Sequence, residues 1–147
     1  MQKVTVPNAV LLGEVGRLVE KGDKVTLLTK GSSMLPFIAG EKDSVLLESP
    51  SELYPGLIAL AQIRKGHYVL HRIMEIDGDK VVLMGDGNLH GCEVCHKDNI
   101  VAVVSRIIKK DRQIDCYGRR HLRHARVWKK LRPIRRWILA VYRRMFI

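Results

Sequence analysis

The chain has 147 residues, enough for one domain with a substantial core, and 46 % of them are hydrophobic. Its net charge of +11 belongs to one end. Residues 119–147 hold eleven of the 26 Lys and Arg and no Asp or Glu, which leaves the rest balanced at 15 basic against 15 acidic residues. Three cysteines argue against a secreted disulfide framework, and no run approaches the ~18 apolar residues that span a bilayer. The start, MQKVTVPNAV, lacks the basic-then-apolar pattern of a signal peptide, so a cytoplasmic chain is expected.

Residues 8–21 suit a helix, with Asn8 as cap, Leu11, Val15 and Leu18 on one face, and Gly22 as terminator; Gly13 and Gly16 weaken it. KVTLLTK (24–30) reads as a strand that delivers the chain to Gly31-Ser32-Ser33-Met34-Leu35-Pro36-Phe37. Pro36 suits the first turn of a short helix, where free backbone N–H groups near a serine hydroxyl could stabilise an oxyanion. The plainer alternative for this stretch is a turn with a helix-capping serine.

DSVLLES (43–49) is a second strand, and Tyr54-Pro55-Gly56 turns into the apolar strand LIALAQI (57–63). Arg64-Lys65-Gly66 turns into HYVLHRIMEI (67–76), a largely buried strand interrupted by His71 and Arg72. Asp77-Gly78-Asp79 makes a hairpin into KVVLMG (80–85), and strands follow over 99–110 and 112–117. Short strands joined by Gly-rich turns predict a mainly β body, residues 1–118, with helical additions.

A Ser-Met-x-Pro box at Ser33, a strand carrying His71, and the box Gly85-Asp86-Gly87-Asn88 follow one another in the order seen in the signal peptidase I superfamily, which includes signal peptidases and self-cleaving repressors. The chain resembles that family over roughly residues 25–108, in the branch with histidine rather than lysine as base. The resemblance implies a serine peptidase that needs no cofactor and acts on peptide or protein substrates. Ser33 is the implied nucleophile and His71 the general base. Asp86, in the third box, is the implied carboxylate on the imidazole, with Asp43 as the alternative. The family's box often reads Ser-Gly-Ser-Met, whereas this one reads Gly31-Ser32-Ser33-Met34. The missing hydroxyl leaves the Ser33 N–H and the Ser32 hydroxyl as candidate oxyanion donors. Met34, Leu35 and Phe37 are expected to line a cleft for small or apolar side chains. Self-processing is a further option, although the residues ahead of the first strand are too few for a DNA-binding domain.

Cys92-Glu-Val-Cys95-His96 fits a haem-attachment pattern and, with His90 and Cys116, a zinc set, but the spacing for four ligands is incomplete. A loop with reduced thiols, without metal, is the expectation. Beyond Tyr117-Gly118 the pattern turns helical: Trp128, Leu131, Ile134, Ile138, Val141 and Met145 recur at helical spacing, and Pro133 should kink or split the helix. This tail, Arg119–Ile147, either packs its apolar stripe on the body or lies on an anionic membrane surface, which would make the protein peripheral to a membrane. Nucleic acid is a weaker option, since no recognition motif accompanies the charge.

Overall fold

The computed structural model describes residues 9–146, so the expected cap at Asn8 lies outside the described residues. The molecule is mainly antiparallel β, with one N-terminal helix, α1 (Ala9–Glu20), and two C-terminal helices, α2 (Arg119–Lys130) and α3 (Arg135–Phe146). The strands are β1 (Val25–Leu28), β2 (Ser44–Glu48), β3 (Ile58–Arg64), β4 (His67–Asp77), β5 (Lys80–Met84), β6 (Glu93–His96), β7 (Ile100–Ile108) and β8 (Gln113–Asp115). They form one sheet in the order β1-β2-β7-β3-β4-β5-β6, with β8 paired to the far end of β7.

Strand β3 explains how the sheet is covered. Its near-continuous apolar run reflects burial on both faces, the composition expected of a central strand. Ile58 and Leu60 point into one core with Leu27, Val45, Leu47 and Val104. Ala59 and Ala61 point into a second core with Ile73, Val81, Leu83 and Val103. Helix α1 closes the first core with Leu12, Val15 and Val19, so the buried stripe is rotated slightly from the expected Leu11, Val15 and Leu18. Gly16, expected only to weaken this helix, has a packing role: a Cβ there would sit 2.7 Å from Val101 Cγ1 of β7.

The expected hairpin at Gly78 forms a two-residue turn, with Asp77 opposite Lys80. Two expectations need correction. Residues 93–96, read as loop, are strand β6, paired to β5 with Glu93 opposite Leu83. The segment after Ser33 is a series of turns rather than the first turn of a helix, and the Leu35–Pro36 peptide is cis.

The tail is divided by a 3₁₀ turn over Arg132–Ile134, where Pro133 withdraws a donor from the helical ladder. Its apolar residues do not share one face. Trp128 and Leu139 are buried against Leu35, with Leu131, Ile138 and Tyr142 packed around them. Ile134, Val141 and Met145 are exposed. Among the described residues no helix is long and apolar enough to cross a membrane.

Candidate active site

The serine loop, residues 31–43, is held by backbone contacts that leave no room for side chains. A Cβ on Gly40 would lie 2.1 Å from the Gly31 carbonyl oxygen, so the loop closes on itself there only because residue 40 is glycine, while Gly31 supplies a left-handed φ of 82°. Thr29 Oγ1 donates to the Asp43 carbonyl at 2.8 Å, and Glu41 N–H donates to the Thr29 carbonyl at 2.8 Å. Asp43 closes the loop from inside: its Oδ2 accepts from Ala39 N–H at 2.8 Å and from Lys109 Nζ at 2.6 Å. Asp43 is thereby a loop fastener and is not the carboxylate of a catalytic triad.

The Gly85–Asn88 box braces the same loop from the other side. Gly87 N–H donates to the Ser33 carbonyl at 2.8 Å. A Cβ on Gly85 would meet the Ser33 carbonyl at 2.4 Å, and one on Gly87 would meet the Ser32 carbonyl at 2.3 Å. Both serine carbonyls therefore face the box. Ser33 N–H and Met34 N–H make no hydrogen bond among the described residues. Ser33 is half-buried and Ser32 is exposed.

Ser33 and His71 line one cavity of about 220 Å³, bounded by apolar Leu12, Leu27, Met34, Ile38, Leu60 and Leu70. Their side chains are not hydrogen-bonded to each other. The His71 ring is buried, and its Nδ1 contacts Glu93 Oε1 of β6. An ionised carboxylate only accepts, so Nδ1 carries a proton there, and in the neutral ring Nε2 is the nitrogen left with the lone pair. Strand register accounts for the pairing. Glu93 lies opposite Leu83, and Leu83 opposite Ile73, two residues along β4 from His71 and on the same face.

Asp86 does not serve His71. Arg72 alternates to the opposite face of β4 and takes Asp86 with it: Nε donates to Oδ1 at 3.0 Å and Nη2 to Oδ2 at 2.6 Å. Both side chains of this pair are almost fully buried. Arg72 Nη1 donates to the Gly56 carbonyl and to His121 Nε2, both at 2.8 Å, and Trp128 Nε1–H donates to the Asp86 carbonyl at 2.8 Å. The acid expected to orient the base instead ties the third box to the tail. Burial, followed by the Arg72 charge, pushes the His121 imidazole down from 6.5 to about 4, so it is neutral and accepts from Arg72.

The expected cleft is also redistributed. Met34 lines the cavity, whereas Leu35 and Phe37 turn toward the tail. Phe37 packs edge-on against His121 and Trp128, with the Arg72 guanidinium 4.8 Å from its ring centre.

Among the described residues, no three His, Cys, Asp or Glu side chains gather in a metal-binding cluster. Cys92 is exposed, Cys95 packs on the second core, and Cys116 is buried in the first, its thiol pushed up to about 12 by burial. The residue that sequence reasoning missed is Glu93. It sits inside the Cys-x-x-Cys pattern, where the cysteines carried the motif, and only the pairing of β6 with β5 brings it to His71. The chain matches no family model and no curated protein.

Proposed function

We propose that this protein is a serine peptidase resembling the signal peptidase I superfamily, with Ser33 as nucleophile, His71 as general base and Glu93 as the carboxylate that positions the imidazole. The observation that carries this reading is the shared cavity of Ser33 and His71, with the far nitrogen of the ring held by a carboxylate. A serine hydroxyl is a weak nucleophile until a base removes its proton, and a neutral imidazole with a fixed tautomer does so.

Ser33 Oγ attacks the substrate carbonyl carbon while His71 Nε2 takes the hydroxyl proton, and the carbonyl π electrons move onto oxygen. The Ser33 N–H, free of hydrogen bonds among the described residues, is the donor for that oxyanion, with the exposed Ser32 hydroxyl beside it. Collapse of the adduct expels the amine, which takes the proton from His71. Water then attacks the acyl carbon, giving its proton to His71, and the acid product leaves as Ser33 recovers its hydroxyl. The apolar cavity of about 220 Å³ suits a small or apolar side chain next to the scissile bond. Apo enzymes often show serine and base outside hydrogen-bond contact until substrate tightens the site.

A fluorophosphonate probe tests this directly. The intact protein should be labelled once, on Ser33, as read by peptide mass mapping. Ser33→Ala and His71→Ala should abolish labelling, while Ser32→Ala keeps it. Absence of label on the folded protein, or label on Ser32, would sink the assignment.

A further inference from the structure

Helix α3 carries more apolar surface than its packing on the body uses. Its inner side holds Arg135, Ile138, Leu139 and Tyr142, which meet the body and α2. Its outer side carries a second stripe that continues from the 3₁₀ turn: Ile134, Trp137, Val141 and Met145, spaced three, four and four residues apart and between 49 % and 69 % exposed. A helix that only covers a core needs one apolar face and places polar residues on the other. Four large apolar side chains in line on the solvent side form a contiguous patch, which marks an interaction surface.

The flanks of the stripe identify the partner chemistry. Arg144 lies beside the stripe on the helix, Arg136 reaches it through Trp137, and Arg132 and Arg143 add charge away from it; all four are exposed. Among the described residues none of them is paired with a carboxylate, and residues 119–147 contain no acidic side chain that could pair with them. The Arg136 guanidinium lies 4.9 Å from the Trp137 ring centre, so charge and aromatic surface are presented together. Nucleic-acid phosphates would satisfy the arginines but leave Trp137, Val141 and Met145 against water. An anionic bilayer satisfies both, with phosphates at headgroup depth and acyl chains below them. Twelve residues of helix reach only ~18 Å, too short to cross, so the helix lies in the interface plane.

We propose that α3 docks this protein on an anionic lipid bilayer, with Ile134, Trp137, Val141 and Met145 seated at the headgroup–acyl boundary and Arg136 and Arg144 on lipid phosphates. The inner stripe stays on the body, so the whole folded protein is carried to the surface. The inference is independent of the peptidase reading, because its readout is binding alone.

The full chain is mixed with vesicles of phosphatidylcholine alone, or of phosphatidylcholine with phosphatidylglycerol, and binding is followed by co-sedimentation and tryptophan emission. Binding is expected only with phosphatidylglycerol present, with a blue shift from Trp137 that weakens as salt rises. The double variant Trp137→Ser/Val141→Ser changes exposed positions only, so its melting temperature should match the parent while its vesicle binding falls roughly tenfold or more. Arg136→Gln/Arg144→Gln should weaken binding and flatten its salt dependence. Equal binding to both vesicle types, no binding, or unchanged binding by the Trp137→Ser/Val141→Ser variant would overturn the proposal. So would a salt-sensitive preference for duplex DNA, or dimerisation through the stripe that excludes vesicles.

Discussion

Two carboxylates lie near the ends of the His71-Arg72 dipeptide, and strand alternation assigns them different work. Glu93 meets the His71 ring at the cavity wall and is partly exposed, so the pair contributes little to stability. Asp86 and Arg72 are buried together, and removing one charge strands the other in a low-dielectric site. Substitution should separate the two roles. Glu93→Gln leaves the fold intact but no longer fixes the Nδ1–H tautomer, so labelling and peptide hydrolysis should fall roughly a hundredfold or more with little change in melting temperature. Asp86→Asn should instead cost about 3–5 kcal/mol of stability, read by urea denaturation. A Glu93→Gln protein with full activity, or one that loses activity only because it unfolds, would remove Glu93 from the mechanism. Gly87→Ala is expected to disturb the site by a third route. Its added Cβ would collide with the Ser32 carbonyl, so the serine loop must shift even though no polar group is lost.

Helix α2 meets the body through His121, and that contact has a pH signature. The folded imidazole titrates at about 4 against an ordinary 6.5, because burial and then the Arg72 and His124 charges oppose its protonation, with Asp115 opposing them weakly. Between those values the unfolded chain binds a proton that the folded chain refuses, so the contribution is whole above pH 6.5 and is lost as pH falls toward 4, by about 3 kcal/mol. In His121→Gln the side-chain oxygen still accepts from Arg72 but does not titrate. Urea denaturation at about pH 7 and about pH 4.5 should therefore show wild type losing more stability than the variant. A difference that stays constant with pH would show that His121 is not the acid-sensitive contact. The elements themselves were legible where burial leaves a pattern. The β3 run, the Gly78 hairpin and the break at Pro133 can be read from residue type alone. Strand β6 could not be read that way, because it is a short edge strand whose residues are exposed or half-buried, so no apolar alternation marks it. With β6 hidden, Glu93 was hidden too, and Asp86 stood in its place by motif order. Ser33, His71 and Met34 meet at the cavity as their boxes suggest. Leu35 and Phe37 do not, since their partners are tail residues far along the chain.

The whole molecule is a neutral body closed by a cationic strap, and the two are not separable modules. Trp128 and Leu139 fill the space over Leu35, Trp128 Nε1–H satisfies the Asp86 carbonyl, and His121 accepts from Arg72. Arg135 adds a second tie. It is 1 % exposed, and its Nη1 and Nη2 donate to the Asn88 and Trp128 carbonyls, each at 3.2 Å, while its guanidinium stacks 5.0 Å from the Trp128 ring centre. The strap thus holds the Gly85–Asn88 box, and through the Gly87–Ser33 hydrogen bond that box holds the serine loop. Removing residues 119–147 uncovers Leu35 and Phe37 and leaves the Arg72–Asp86 pair open to water. Loss of Trp128 and Leu139 burial alone costs roughly 1.5–3 kcal/mol each, a large share of a domain stability of about 5–15 kcal/mol. The truncated chain should therefore unfold at clearly lower urea, bind a hydrophobic dye, and lose fluorophosphonate labelling together with its fold. Trimming only the outer stripe, as in Trp137→Ser/Val141→Ser, should leave both stability and labelling intact. A truncated body as stable as the full chain would mean that the strap is a peripheral appendage, and that the serine loop is held by the sheet without it.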